Sequence, residues 1–433
     1  MGEAGDHEVI MRAARGAARK SGRRGSPVRR AFAPVVALLF AFAFSGCAKS
    51  SGNVIVFWQF SPTAVIQPIL ERFEAQHPGV KVQVEQLTWQ SGREKIVAAI
   101  AAGRPPDLCE LGSTFLPGLV ADSTLIDLTD KVSDLRADLV GWNVSSYKGR
   151  VYGIPWMLGT RALFVNDNLV NEAKMDAGAP ILTWDELRAK VQGISERCPG
   201  ARGFGMNAGE REILFKKFMP FAWGNGGDIL DSTMTKSVMG SPQNIEALKF
   251  YLSLKPYSLL DRQEMHEQAF IKGRLGVVIS GPWLIRKLAQ EAPKLVYSVQ
   301  LMPKPAKDRG TPASFAGAEV LGIFRGSKKK DAALELARFL VKPENTMPVY
   351  MATGNAFPAA MSVGIDPYFN RNPQDARFLD QLRTAVGPPL HPKWVQIEEI
   401  VNGELEEAIY GTKTAEEALH SADQRIDAVL AAP

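Results

Sequence analysis

The chain is poor in the residues that most catalysis requires. Its five histidines, His7, His77, His266, His391 and His420, are scattered along 433 residues, and none makes a zinc-ligand spacing. Neither a Gly-x-Ser-x-Gly elbow nor a phosphate-cradling glycine loop occurs, so those hydrolase and nucleotide-binding signatures are excluded. Cysteine is scarcer still: Cys47, Cys109 and Cys198 form no disulfide framework in a chain this long. Cys109 stands in an apolar, strand-like run and reads as a buried small hydrophobe. Cys198, in the polar turn Arg197-Cys198-Pro199-Gly200, reads as a second free thiol. Apolar runs are also short, and Ala31–Phe44 falls below the roughly 20 residues that span a bilayer.

That run belongs to an export signal. Before it stand Arg12, Arg15, Arg19, Lys20, Arg23, Arg24, Arg29 and Arg30, against only Glu3, Asp6 and Glu8. A basic segment, a short apolar stretch and small residues before the cut define a secretory signal peptide over residues 1–46. The signal ends in Ser45-Gly46-Cys47, which resembles a bacterial lipobox, with Cys47 lipidated as the first mature residue and 47–52 as anchor linker. Phe44 replaces the Leu usual in that motif. The start stays open between Met1 and Met11, and Arg29-Arg30-Ala31-Phe32 leaves the export route open between Sec and twin-arginine. The leader accounts for the whole net charge of +5, because residues 47–433 hold 43 basic and 43 acidic side chains. Nothing here supports a nucleic-acid partner, and the mature length suffices for two domains.

The mature chain opens in an α/β rhythm. Asn53 to Phe57 is a β-branched and aromatic run suited to a strand buried on both faces. Ile66, Ile69, Leu70 and Phe73 recur at helical spacing until His77-Pro78-Gly79 stops the helix. Val80, Val82 and Val84 alternate as a second strand, and Ser91 with Glu94 predicts a capping box for a second helix. Asp107 to Leu111 is a third strand. The order implies a mostly parallel sheet with helices on both faces, whose ligands gather at the carboxyl ends of strands. Those ends read Trp58-Gln59 and Glu110-Leu111-Gly112-Ser113-Thr114. Further on, Asp331 to Val341, the stripe Trp394, Ile397, Val401, Leu405 and Ile409, and the run capped by Thr414 and Glu417 predict core-facing helices.

Several longer segments occur in a telling order: Val56-Phe57-Trp58, Gly103-Arg104-Pro105-Pro106-Asp107-Leu108, Tyr147-Lys148-Gly149-Arg150-Val151-Tyr152-Gly153-Ile154-Pro155-Trp156, Thr160-Arg161-Ala162-Leu163-Phe164-Val165-Asn166, Thr183-Trp184-Asp185-Glu186-Leu187, Gly226-Gly227-Asp228, Phe270-Ile271-Lys272-Gly273-Arg274, Gly281-Pro282-Trp283, and Gly411 to Leu419. From about Asn53 to its end the chain resembles the extracellular solute-binding proteins of carbohydrate ABC importers, the maltose-binding-protein-like group. The resemblance implies a type II periplasmic-binding-protein fold: two doubly wound α/β lobes, a hinge, and a ligand cleft between them. It places the first lobe at 53–163 plus 314–365 and the second at 166–312 plus 366–433. It implies a monomer without cofactor or metal that binds a sugar, an oligosaccharide by preference, and delivers it to permease subunits. The location is the cell envelope, outside the cytoplasm.

A pyranose offers a weakly polar face to flat rings and a rim of hydroxyls to carboxylates, amides and arginine. Trp58, Trp156, Trp223 and Trp283 stand beside glycine, proline or a strand end and are the expected stacking rings, whereas Trp184 and Trp394 read as core; Trp89 and Trp142 stay undecided. Gln59, Glu110, Gly112, Ser113, Thr114, Arg161, Gly317 and Glu319 are the expected rim. Many members of the family this chain resembles carry an Asp just before the hinge strand, where this chain has Gly159, so one sugar hydroxyl contact stays unassigned. Two other readings remain: a lipid-anchored glycoside hydrolase using Glu110 with Asp228 or Glu319, and a receptor for a polyamine, metal ion or phosphate. A receptor reporting to a sensor instead of a permease is not separable by sequence.

Overall fold

The computed structural model describes residues 53–432, so the leader and Cys47 lie outside the described residues. The opening rhythm is as read. Strand β1 (Asn53–Gln59) leads to α1 (Thr63–Gln76), β2 (Val80–Gln86), α2 (Gly92–Ala101), β3 (Leu108–Gly112) and α3 (Leu116–Ala121). A small hairpin of β4 (Ser146–Tyr147) and β5 (Arg150–Val151) precedes β6 (Ile154–Thr160). The second half-fold contains β7 (Ala162–Asn166), α4 (Asp167–Glu172), α5 (Trp184–Arg197), β8 (Arg202–Asn207), α6 (Arg211–Gly224), α7 (Pro242–Ser253) and β9 (Ser258–Asp261). It continues through α8 (Gln263–Ile271), β10 (Leu275–Ser280), α9 (Trp283–Glu291) and β11 (Tyr297–Gln300). The chain then returns as β12 (Ser314–Ile323), α10 (Lys330–Leu340), α11 (Pro343–Thr353), β13 (Phe357–Pro358), α12 (Pro367–Arg371), α13 (Pro373–Leu382) and β14 (Ala385–Val386). It ends in α14 (Trp394–Tyr410) and α15 (Ala415–Ala431).

Two mixed sheets result. The first runs β13-β6-β12-β3-β1-β2, with β14 on β12; β1 pairs in parallel with β2 and β3, and β12 is antiparallel to β3 and β6. The second runs β11-β7-β10-β8-β9, parallel across β10, β8 and β9 and antiparallel around β7. The sheets exchange the chain at Arg161, between β6 and β7, so Ala162 and Leu163 belong to the second sheet and not to the first lobe as expected. Three apolar clusters fill the molecule. One packs α5, α6 and α7 with α14 and α15 on the second sheet; a second packs α1, α10 and α11 on the first sheet and continues to the other face of the second; a third lies under α2 and α3.

Local chemistry explains most boundaries. Thr183 and Glu186 form a reciprocal capping box at α5, as do Thr414 and Glu417 at α15. The box expected at Ser91 does not form: its backbone is not extended (ψ −3°), and its Oγ lies 3.0 Å from Thr88 Oγ1 instead. Cys109 and Cys198 are free thiols, and both are buried, Cys198 at the C-cap of α5. Among the described residues no helix is long and apolar enough to cross a membrane.

Candidate functional site

The carboxyl ends of β1 and β3 and the paired stretch of β12 meet in one place. Glu110, 1 % exposed, accepts a hydrogen bond from the Phe60 backbone N–H at 2.8 Å. Register sets Glu319 opposite Gly112, on the same face as Glu110 two residues away, and the two carboxyls are hydrogen-bonded to each other. Burial, reinforced by the Glu319 charge, holds Glu110 well above the usual carboxylate range. Burial pushes Glu319 up to about 7, against the pull of Glu110 and Arg161. One proton is therefore shared between them near neutral pH, since two adjacent carboxylates resist joint ionisation. Ser113 ties the strands together: its N–H donates to Ala318 O at 2.7 Å and its Oγ accepts from Ala318 N–H at 3.3 Å. Thr114, half-buried, follows at the strand end, and Gly317 lies on β12 opposite Gly159. A Cβ on Gly317 would stand 3.0 Å from the Phe315 ring.

From the crossing point, Arg161 reaches toward the second sheet. Its guanidinium lies 4.4 Å from the Trp283 ring centroid and 5.8 Å from that of Phe315. Its N–H donates to the Thr160 carbonyl at 3.1 Å. Burial draws its pKa down to about 10, while Glu267 and Glu319 oppose the shift. Trp283 opens α9, and its ring folds back across Gly281, where a Cβ would lie 2.0 Å from the ring. Trp283 Nε1–H donates to Glu267 Oε1 at 2.8 Å, beside donors from Gln263 (2.6 Å), Ser280 (2.9 Å) and, on the other oxygen, Lys287 (2.6 Å). Burial alone would raise the Glu267 pKa, but these donors, Lys287 foremost, hold it below the ordinary value. Lys217 on α6 donates to the Ile279 carbonyl at 2.5 Å, and burial with Arg161 nearby keeps its pKa well below the usual lysine value.

Among the described residues, the buried amide oxygens of Gln59, Asn207, Asn244 and Gln263 have no partner, and the first two stand at strand ends. Gln59 Nε2 donates to Ser61 O at 2.8 Å, which leaves Oε1 unmatched at the end of β1. Asn207 Nδ2 donates to Glu210 Oε2 at 2.9 Å, which leaves Oδ1 unmatched at the end of β8. In each case the bond made by the amide nitrogen fixes the orientation, so exchanging nitrogen and oxygen is no remedy.

Three expected rings are elsewhere or covered. Trp156 is 1 % exposed and packs edge-on against Phe57, with centroids 6.4 Å apart, in the core of the first sheet. Its glycine and proline neighbours reflect a strand entry, not a ligand loop. Trp223 is a helical residue: the glycines after it cap α6, and its Nε1–H donates to Asp228 at 3.1 Å inside the second lobe. Trp58 is 8 % exposed, with Lys95 Nζ 5.3 Å from its ring centroid. Trp184, stacked on Phe250, and Trp394 are core as expected. Glu267, Lys217, Gln263 and Asn207 were missed because each sits in an ordinary-looking helix or strand. Their partners come from distant segments, which no local pattern announces.

The chain matches the family model described as bacterial extracellular solute-binding protein over residues 59–347. The sn-glycerol-3-phosphate-binding periplasmic protein of Pectobacterium atrosepticum is 23 % identical, covering 90 % of this chain and 94 % of its own length. The galactooligosaccharide-binding protein of Bacillus subtilis is 24 % identical, covering 87 % and 90 %. The solved structure of the sugar-binding protein MalE from Xanthomonas citri superposes with a TM-score of 0.76 at 26 % identity, over 87 % of this chain and 97 % of that one. The shared fold is that of type II periplasmic binding proteins. With a family match across two-thirds of its length and two sheets exchanging strands around a buried polar cluster, this chain belongs to the bacterial extracellular solute-binding proteins.

Proposed function

We propose that the protein captures a neutral sugar between its lobes, outside the cytoplasm, and delivers it to the permease of an ABC importer. The observation that carries this reading is that two of the orphaned acceptors, Gln59 Oε1 and Asn207 Oδ1, stand at strand ends, one in each sheet. An unmatched buried acceptor costs about 1–3 kcal/mol, which a ligand hydroxyl recovers by donating to it. The proton-sharing pair Glu110–Glu319 adds acceptor oxygens, and Arg161 adds donors. Glycerol phosphate would set its acceptor oxygens against Gln59 Oε1, Asn207 Oδ1 and the carboxyl pair, with Arg161 to hold its charge, and a polyamine would bring ammonium groups toward Arg161. The sugar relatives named above therefore fit this site better than the glycerol-phosphate relatives do.

The role is binding without catalysis. Glycoside hydrolases hold two carboxyls about 5–9.5 Å apart to admit the scissile bond, and Glu110 and Glu319 are in direct contact. Asp228 is committed to Trp223 and the Ile229 N–H. Cys47 supplies a lipid tether at the membrane surface, on the strength of Ser45-Gly46-Cys47 alone.

The test is a thermal-shift screen of the mature chain with neutral mono- and oligosaccharides, sn-glycerol 3-phosphate and spermidine. A ligand at 100 times its Kd adds roughly 2.7 kcal/mol of stability, and bound sugar is expected to be recovered intact. Stabilisation by the phosphate or the amine alone would overturn the reading. For the tether, Cys47→Ala is expected to be exported yet lost from the membrane fraction; equal fractionation of variant and parent would refute it.

A further inference from the structure

Of the eight tryptophans in the chain, Trp89 is the one whose side chain stands exposed, at 45 %. It lies three residues beyond β2, at the same sheet edge as the polar cluster. There Gln86 pairs with Gln59, and Leu87 N–H donates to Gln59 O at 2.7 Å. The inner face of Trp89 is stacked on Phe60, with centroids 3.9 Å apart and planes 9° from parallel. Phe60 is itself buried, and it is the residue whose backbone N–H binds Glu110. Gly92 admits this packing, since a Cβ there would lie 2.6 Å from the Phe60 ring. A short rigid path thus runs from the Glu110 carboxyl through Phe60 to an open indole face.

The other rings near the site carry cations: Arg161 lies over Trp283, and Arg161 and Lys216 lie over Phe315. We propose that Trp89 is the stacking platform of an outer sugar subsite, one ring beyond the polar pocket, and that the ligand is at least a disaccharide. The inner unit would satisfy Gln59 Oε1 and the Glu110–Glu319 pair, and the next would lay its C–H face on Trp89. An indole held parallel by a buried ring loses little freedom when a sugar covers it, which favours stacking over a mobile side chain. This inference rests on the sugar reading above.

The experiment titrates glucose, maltose and maltotriose, with the matching galacto- and manno-series, into the mature parent, Trp89→Ala, Trp89→Leu and Trp89→Phe. Leucine still covers Phe60 but offers no flat face. In the series that binds the parent, the Ala and Leu variants are expected to bind the di- and trisaccharide about tenfold more weakly. Monosaccharide binding should be unchanged, and Phe should restore most of the loss. Several outcomes overturn the platform while leaving sugar binding intact: a parent that takes only the monosaccharide, Trp89→Leu binding like the parent, or equal loss at every length. No binding by the parent in any series overturns the sugar reading and this inference with it.

Discussion

Glu319 keeps its proton in a pH range where an exposed glutamate has lost it. In the unfolded chain its pKa is 4.5, and in the folded chain about 7. Between those values the folded state binds more protons, so this group's stabilising contribution is whole below pH 4.5, falls as pH rises, and is gone above 7. His266 works in the opposite sense, because burial lowers it from 6.5 to about 4 and its contribution grows as pH rises through that window. Comparison with a variant cancels His266. The stability of the parent relative to Glu319→Gln is expected to fall by on the order of 3 kcal/mol from pH 4.5 to 8, read from urea unfolding at each pH. A difference independent of pH would show that the carboxyl titrates normally. The sequence marked Glu110, Arg161 and Glu319 because charged residues at strand ends or crossing points stand out against apolar neighbours. It misplaced Trp156 and Trp223 because a glycine or proline beside a tryptophan is equally the mark of a strand entry or a helix cap.

Helices were the most legible elements. The apolar stripe of α1 and its stop at His77 gave both ends, and the expected Thr414–Glu417 box of α15 is formed. Ser91 shows the limit of such motifs, since the spacing was right and the hydroxyl had another partner. Helix α13 gave no hint of its position. It packs against β6 and β12 of the first sheet and β7 and β11 of the second. Phe378, fully buried, meets Phe357 (6.2 Å between centroids) on one side and Phe164 (5.9 Å) on the other. Gln381 accepts from Met302 N–H and donates to Pro312 O, both at 2.7 Å, while Asp375 accepts from Tyr350 and Arg286. The expected grouping of 366–433 with the second lobe thus overlooks a helix that serves both. Phe378→Ala is expected to cost about 3–5 kcal/mol and to split one calorimetric transition into two, because the ring links both sheets. Phe73→Ala, within the first lobe alone, should lower the melting temperature while leaving one transition. A single sharp transition in the Phe378 variant would show that the lobes are coupled by other means.

At the scale of the molecule, the parallel opening of the first sheet was readable, since strand and helix alternate along neighbouring sequence. Its completion was not. Strand β12 pairs with β3 and β6, from which it is separated by some 160 to 200 residues of chain, and a long-range antiparallel insertion leaves no local periodicity of its own. That strand also governs the order in which the molecule can be made. Until residue 323 has left the ribosome, β1, β2 and β3 have no connection to β6. The second sheet, complete by residue 300, still lacks α14 and α15, whose Trp394, Val401 and Ile426 fill its core. Each lobe therefore completes its core only with late chain, β12 for the first and α14 with α15 for the second, so the fold is decided late in synthesis.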